Sequence, residues 1–175
     1  VTHRWSGDRL DVLVCNAGYA FLPEIFSTPL DATHAEDLEQ WCTAIFRTDT
    51  LGSVFCTYEA LPAMMARRHG SILYISSTPA LAGFRGTPYT IAKAGILGLM
   101  RDVAREYARY NIRANALALG NIQTHATFSK LDAETQRLYA QDAPLGRWGQ
   151  PEDVAQAALF LVSESSSFVT GQTLV

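Results

Sequence analysis

Tyr89 and Lys93 stand four residues apart in the segment Tyr89-Thr-Ile-Ala-Lys93. On a helix, positions i and i+4 share a face, so a phenol and an ammonium at this spacing can serve one small site. A cation favours the ionised form of a phenol beside it. Such a tyrosine can give a proton to a substrate oxygen, or take one from it, near neutral pH. Taken alone the pair is a weak signal, because Tyr and Lys at this spacing also occur on ordinary amphipathic helices. Two hydroxyls, Ser76 and Ser77, open the glycine-containing loop just upstream and could reach the same place.

The elements that must position these groups alternate in type. The apolar run Leu10 to Cys15 ends at Asn16-Ala17-Gly18 and predicts a buried strand with its turn. Residues 19–33 predict a loop, kept irregular by Pro23 and Pro29. A helical pattern follows from Ala35 to Arg68, broken or bent near Gly52 and Pro62, with Gly70 as its C-cap. Ser71 to Ile75 predicts a second strand, and residues 76–88 a loop. Pro88 suits the first turn of a helix running to Tyr110, whose Ala92, Ala94, Gly95 and Gly98 permit close packing. Ile112 to Leu119 predicts a third strand. A polar stretch, 123–148, precedes a helix over Pro151–Ser163, and Thr170 to Val175 opens a fourth strand. Near-continuous apolar strands alternating with helices imply a parallel sheet covered on both faces, an α/β architecture. No repeat or linker divides the chain, so residues 1–175 read as one domain.

Composition narrows the classes. Of 175 residues 48% are hydrophobic and 18% charged, a globular balance. A net charge of −3 argues against a nucleic-acid surface or a polybasic membrane patch. Three widely spaced cysteines fit neither a disulfide framework nor a zinc site. Cys15 and Cys56 read as small core hydrophobes. The histidines are scattered, His34 has only Asp31 and Asp37 nearby, and no metal site is expected. No apolar run is long enough to span a bilayer and no signal peptide is visible, so a cytoplasmic setting is expected.

The order of these segments resembles the short-chain dehydrogenase/reductases, a family of single-domain Rossmann folds. Six pieces carry the resemblance. They are Asn16-Ala-Gly18, Ser76-Ser77, Tyr89-x-x-x-Lys93, Ile112-Arg-Ala-Asn115 leading to Gly120-Asn-Ile-Gln-Thr124, Pro144 to Asp153, and Thr170 to Val175. The resemblance implies a partial Rossmann-type, doubly wound parallel sheet. It implies hydride transfer between NAD or NADP and a small alcohol/carbonyl substrate, with Tyr89 as general acid/base. Lys93 would support Tyr89 and hold the nicotinamide ribose. Ser77 would orient the substrate; Ser76 is the alternative, since strand alternation puts the two hydroxyls on opposite faces. Asn16, Ala17 and Gly18 would line the adenosine side of the cofactor. Gly120, Ile122 and Thr124 would flank its nicotinamide and pyrophosphate. Residues 123–148 resemble a substrate lid, with Phe128, Leu131, Leu138 and Tyr139 closing over an apolar substrate. The helices at 35–68 and 89–110 resemble those that join homodimers or homotetramers in the family. For Trp148, capping of the Pro151 helix is the expected role.

The chain also departs from the family pattern. The glycine-rich phosphate turn that opens the family's fold is absent, and the first strand here matches the family's fourth. The chain thus reads as the C-terminal two-thirds of such a fold, expected to bind cofactor weakly or not at all by itself, with an open strand edge at Leu10–Cys15. Asp49 stands where the family usually has an Asn that serves the proton relay, and can pair with Lys93 or disturb that relay. Leu119 replaces a usual Pro. These departures support a second reading, a non-catalytic Rossmann-type binding or scaffold protein. The intact Ser/Tyr/Lys set opposes it.

Overall fold

The computed structural model describes residues 9–19, 22–83 and 86–175. Its frame is a four-stranded sheet of β1 (Val12–Cys15), β2 (Gly70–Ser77), β3 (Ile112–Leu119) and β4 (Thr173–Leu174), in that spatial order. Every pairing is parallel, with Leu13 opposite Ile72 and Leu73 opposite Asn115. The connections are α1 (Pro23–Ser27), α2 (Ala35–Ile45), α3 (Gly52–Arg67), α4 (Pro79–Ala82), α5 (Thr87–Tyr107), α6 (Ala133–Asp142) and α7 (Pro151–Val162). Strands of a parallel sheet need such crossovers, and the crossovers cover both faces.

Strand alternation sorts the core into two layers. Ile72, Tyr74, Ala114 and Ala116 pack with Ala60 and Met64 of α3 and Ile96 and Met100 of α5. Leu73, Ile75 and Leu117 pack on the opposite face with Leu161 of α7. Cys15 joins the first layer and burial pushes its thiol up to about 12, which keeps it a neutral apolar filler. Cys56 does not join it: this residue is exposed on α3, contrary to the expectation of a core position, because it falls off the stripe set by Ser53, Thr57, Ala60 and Leu61. β1 forms one edge of the sheet, with Val12 38% and Val14 47% exposed.

Three local features differ from the sequence reading. The long helical pattern is interrupted by a π-helical turn at Phe46–Leu51, just before Gly52, and α3 then runs through Pro62. Arg68, in the left-handed conformation at φ 51°, caps α3, so Gly70 is not the cap. Gly70 instead opens β2, where a Cβ would lie 2.5 Å from the Met64 sulfur. Residues expected as loop contain α1 and α4, and the polar stretch 123–148 contains α6, with the Asp132 carboxylate accepting from the Thr135 N–H at 2.8 Å. α7 starts as expected, with Pro151 in its first turn and the Asp153 carboxylate accepting from the Gln150 N–H. Its last carbonyls are gathered by Arg113, whose guanidinium donates to the carbonyls of Leu161 and Ser163 at 2.9 and 3.0 Å.

Candidate active site

The carboxyl ends of parallel strands form a rim where backbone groups and loop side chains meet, the usual ligand edge of an open α/β sheet. Asn16–Gly18 follows β1, Ser77 closes β2 and Gly120 follows β3, so three of the sequence motifs lie along this rim. The start of α5 brings Tyr89 and Lys93 to it. Gly86, at φ 93°, holds a conformation that side-chain-bearing residues rarely adopt, and its Cα lies against the Phe26 ring. That contact fixes the entry of α5. Phe26 also meets the Tyr89 ring edge-on, with centroids 5.2 Å apart.

Lys93 is the centre of the arrangement. Its ammonium is 5.5 Å from the centroid of the Tyr89 ring, so the expected pair does face one place. The Lys93 side chain is only 7% exposed. Nζ donates to the Ile75 carbonyl at 3.3 Å and pairs with Asp49 Oδ2 at 2.9 Å. Asp49 is wholly buried, and its other oxygen accepts from the Tyr19 N–H at 2.6 Å. The π-turn puts Asp49 there: the turn is pinned to α5 by the Thr50 hydroxyl, which donates to the Ala92 carbonyl, and to α3 by the Ser53 hydroxyl, which donates to the Asp49 carbonyl. π-turns of this kind occur frequently at functional sites. The sequence reading had Asp49 as a candidate but missed the turn, Tyr19 and Phe26. Helical periodicity continues through a π-turn with one residue's slip, so its only sequence signal was the odd placement of an Asp in an otherwise amphipathic pattern.

The two serines separate as strand alternation requires. Ser76 is buried at 2% exposure and its hydroxyl donates to the Lys93 carbonyl at 2.9 Å, which anchors α5 to the sheet. Ser77 is half-buried at the rim and donates to the Leu119 carbonyl at 3.1 Å. Asn16, Ala17 and Gly18 are exposed, and a Cβ on Gly18 would lie 3.4 Å from Asp49 Oδ2 and 3.7 Å from Lys93 Nζ. The turn therefore lies directly over the ion pair. Gly120 is exposed, with nothing within 4 Å of where its Cβ would be. Ile122 forms a parallel bridge to Gly149, and the Thr124 and Thr127 hydroxyls share a hydrogen bond at 2.9 Å.

Beside this rim, residues 123–148 are organised around one buried indole. Trp148 stacks edge-on against Phe128 with centroids 5.1 Å apart, lies 5.9 Å from Tyr139, and donates from Nε1 to the Gln136 carbonyl at 2.8 Å. This corrects the expectation that Trp148 caps α7: it holds α6 to the chain on either side, and the capping falls to Asp153. Trp148→Phe keeps a ring but loses the N–H donor. Loss of that one bond is expected to speed hydrogen exchange of the α6 amides about fivefold, read by mass spectrometry. Unchanged exchange would show that the ring contacts alone hold α6.

Among the described residues no helix is long and apolar enough to cross a membrane. A family model described as Enoyl-(Acyl carrier protein) reductase matches residues 1–175. The 3-oxoacyl-[acyl-carrier-protein] reductase FabG of Thermotoga maritima is 39% identical over 167 residues, covering 95% of this chain and 64% of the relative. The FabG of Chlamydia trachomatis is 40% identical over 172 residues, again covering 95% and 64%. The chain thus spans 64% of the length of these curated relatives. Among solved structures, ElxO with NADP bound superposes with a TM-score of 0.85 at 31% identity, over 99% of this chain and 67% of that one. A 3-oxoacyl-[acyl-carrier protein] reductase from Brucella melitensis gives 0.84 at 29% identity, over 94% and 60%.

Proposed function

Because the chain belongs to the short-chain dehydrogenase/reductase family, we propose that it serves hydride transfer between a nicotinamide dinucleotide and an alcohol/carbonyl pair. The observation that carries this is the buried Lys93 ammonium facing the Tyr89 ring at the carboxyl rim of the sheet. The rim suits a dinucleotide: Gly18 leaves open the space above the Asp49–Lys93 pair that a side chain would fill, and Gly120 leaves a second opening. Asn16, Ala17 and Gly18 would line its adenosine side, and Gly120, Ile122 and Thr124 would flank its nicotinamide and pyrophosphate. When bound, the nicotinamide supplies or accepts the hydride.

The chain's own groups would manage the proton and the geometry. In the reducing direction the Tyr89 hydroxyl donates hydrogen to the carbonyl oxygen, its O–H bond breaking as the product O–H forms. Lys93 stabilises the resulting phenolate until solvent returns the proton. Ser77, at the rim, orients the substrate oxygen, while Ser76 is engaged with the Lys93 carbonyl. Residues 123–148 close over the substrate, with Leu138 and Leu131 supplying apolar surface. The relatives' names make 3-oxoacyl thioesters the first substrates to test. The assay is oxidation of NADH and of NADPH by the full-length chain across such thioesters and small ketones. No turnover with any of them would favour the scaffold reading.

The chain would work as a homo-oligomer. Phe55 and Tyr58, three apart on α3, are 62% and 70% exposed. Phe46 and Ile91 flank a groove of about 300 Å³ between the π-turn and α5. Apolar surface of this kind on two helices suits a second copy of the chain. Tyr58→Glu is expected to convert the oligomer to monomer in sedimentation velocity, and an unchanged sedimentation coefficient would place the interface elsewhere.

A further inference from the structure

We propose that Asp49 is a positioning residue which ties the Asn16–Tyr19 turn to Lys93 through its two carboxylate oxygens and thereby sets the affinity for the nicotinamide dinucleotide. The proposal rests on the hydride-transfer reading above and concerns how the same site is held together. Asp49 is 0% exposed and so can touch neither substrate nor solvent. What it touches are two donors from separate elements: the Tyr19 N–H on Oδ1 at 2.6 Å and the Lys93 ammonium on Oδ2 at 2.9 Å. Among the described residues Oδ2 makes no hydrogen bond, so the ion pair with Lys93 is its one compensation for burial.

The chemistry of the position requires a carboxylate. Both neighbours are donors, and an ionised Asp offers two acceptor oxygens. An Asn has one acceptor, and its amide nitrogen would face a second donor at a position closed to bulk solvent. Asn at this position would therefore release either the turn or the lysine. The carboxylate itself has little freedom to follow, because the residues around it are tied by two hydroxyls: Thr50 donates to the Ala92 carbonyl of α5 and Ser53 of α3 donates to the Asp49 carbonyl. Gly18 completes the geometry, since its Cα sits close enough to the ion pair that a Cβ would lie 3.4 Å from the carboxylate. One buried side chain thus fixes the distance between the exposed turn and the lysine, and a ribose held between them would need that distance.

The test uses the natural full-length chain and fluorescence titration with NADH and with NADPH. Asp49→Asn is expected to raise the dissociation constant of the preferred dinucleotide at least tenfold, while kcat at saturating dinucleotide changes only a few-fold. Lys93→Met should raise the constant as well. The double variant should be no weaker than Lys93→Met alone, because Asp49 acts through Lys93; a merely structural role would make the two losses add. Unchanged affinity in Asp49→Asn, or additive losses, overturns the proposal and leaves the hydride-transfer reading intact. If Asp49→Asn does not fold, Tyr19→Pro removes the Oδ1 donor, and Tyr19→Ala, which loses the same ring from the Ile25–Ile45–Ala92 cluster but keeps the N–H, is its control; the constant should be several-fold higher in Tyr19→Pro than in Tyr19→Ala, and equal constants overturn the proposal. A wild-type chain that binds neither dinucleotide overturns both this proposal and the reading beneath it.

Discussion

Tyr89→Phe is expected to lower turnover about a thousandfold, in the range by which positioned acid/base groups accelerate reactions, while leaving dinucleotide affinity within about twofold of wild type. The substitution deletes one oxygen and keeps the ring. The ring is what packs: it meets Phe26 edge-on at 5.2 Å and lies 5.5 Å from the Lys93 ammonium. Phenylalanine preserves both contacts, so the fold of the rim and the placement of Lys93 should persist. Only the proton donor disappears. The two effects separate in steady-state kinetics, where kcat and kcat/KM should fall together, as they do when an interaction made in the transition state is lost. Retained activity would remove Tyr89 from the chemistry and with it the proposed role of Lys93.

The sequence made the frame and the chemical pair legible because both depend on local periodicity. β2 and β3 are runs of branched and small apolar residues between turn signals, and they appear within two residues of where those signals put them. Tyr89 and Lys93 share a face because α5 is regular there. What the sequence concealed depends on contacts between distant segments. The roles of Gly70 and Cys56 follow from the precise facing of α3, which a π-turn six residues long had already rotated. The indole of Trp148 joins residues 9 to 20 positions away, Tyr139, Gln136 and Phe128, through α6, a helix whose N-terminus is set by the Asp132 cap within a stretch that reads only as polar. For Ser76 and Ser77 the sequence shows only that the pleat must face them oppositely; which hydroxyl meets the Lys93 carbonyl and which the Leu119 carbonyl at the rim depends on how α5 and β3 pack on β2.

Lys93→Met should be the most destabilising single change at the rim, and adding Asp49→Asn to it should restore much of the loss. The lysine side chain is 7% exposed and the carboxylate beside it 0%, so neither charge is well hydrated. Methionine replaces the aliphatic stem at similar length and leaves no ammonium. The Asp49 carboxylate then keeps one hydrogen bond, from the Tyr19 N–H, and loses its only counter-ion among the described residues. Removing one partner of a buried pair costs about 3–5 kcal/mol, because the remaining charge is stranded. For a chain of this size that is a fall in Tm of about 10 °C. Asparagine at 49 removes the stranded charge but retains an oxygen for the Tyr19 N–H, so the double variant should melt well above Lys93→Met. Thermal denaturation of the three chains settles the order. A double variant as unstable as Lys93→Met would mean that the loss comes from packing around the lysine stem, whereas recovery would mean that the ion pair is a matched set in which each charge is tolerated only because the other is present.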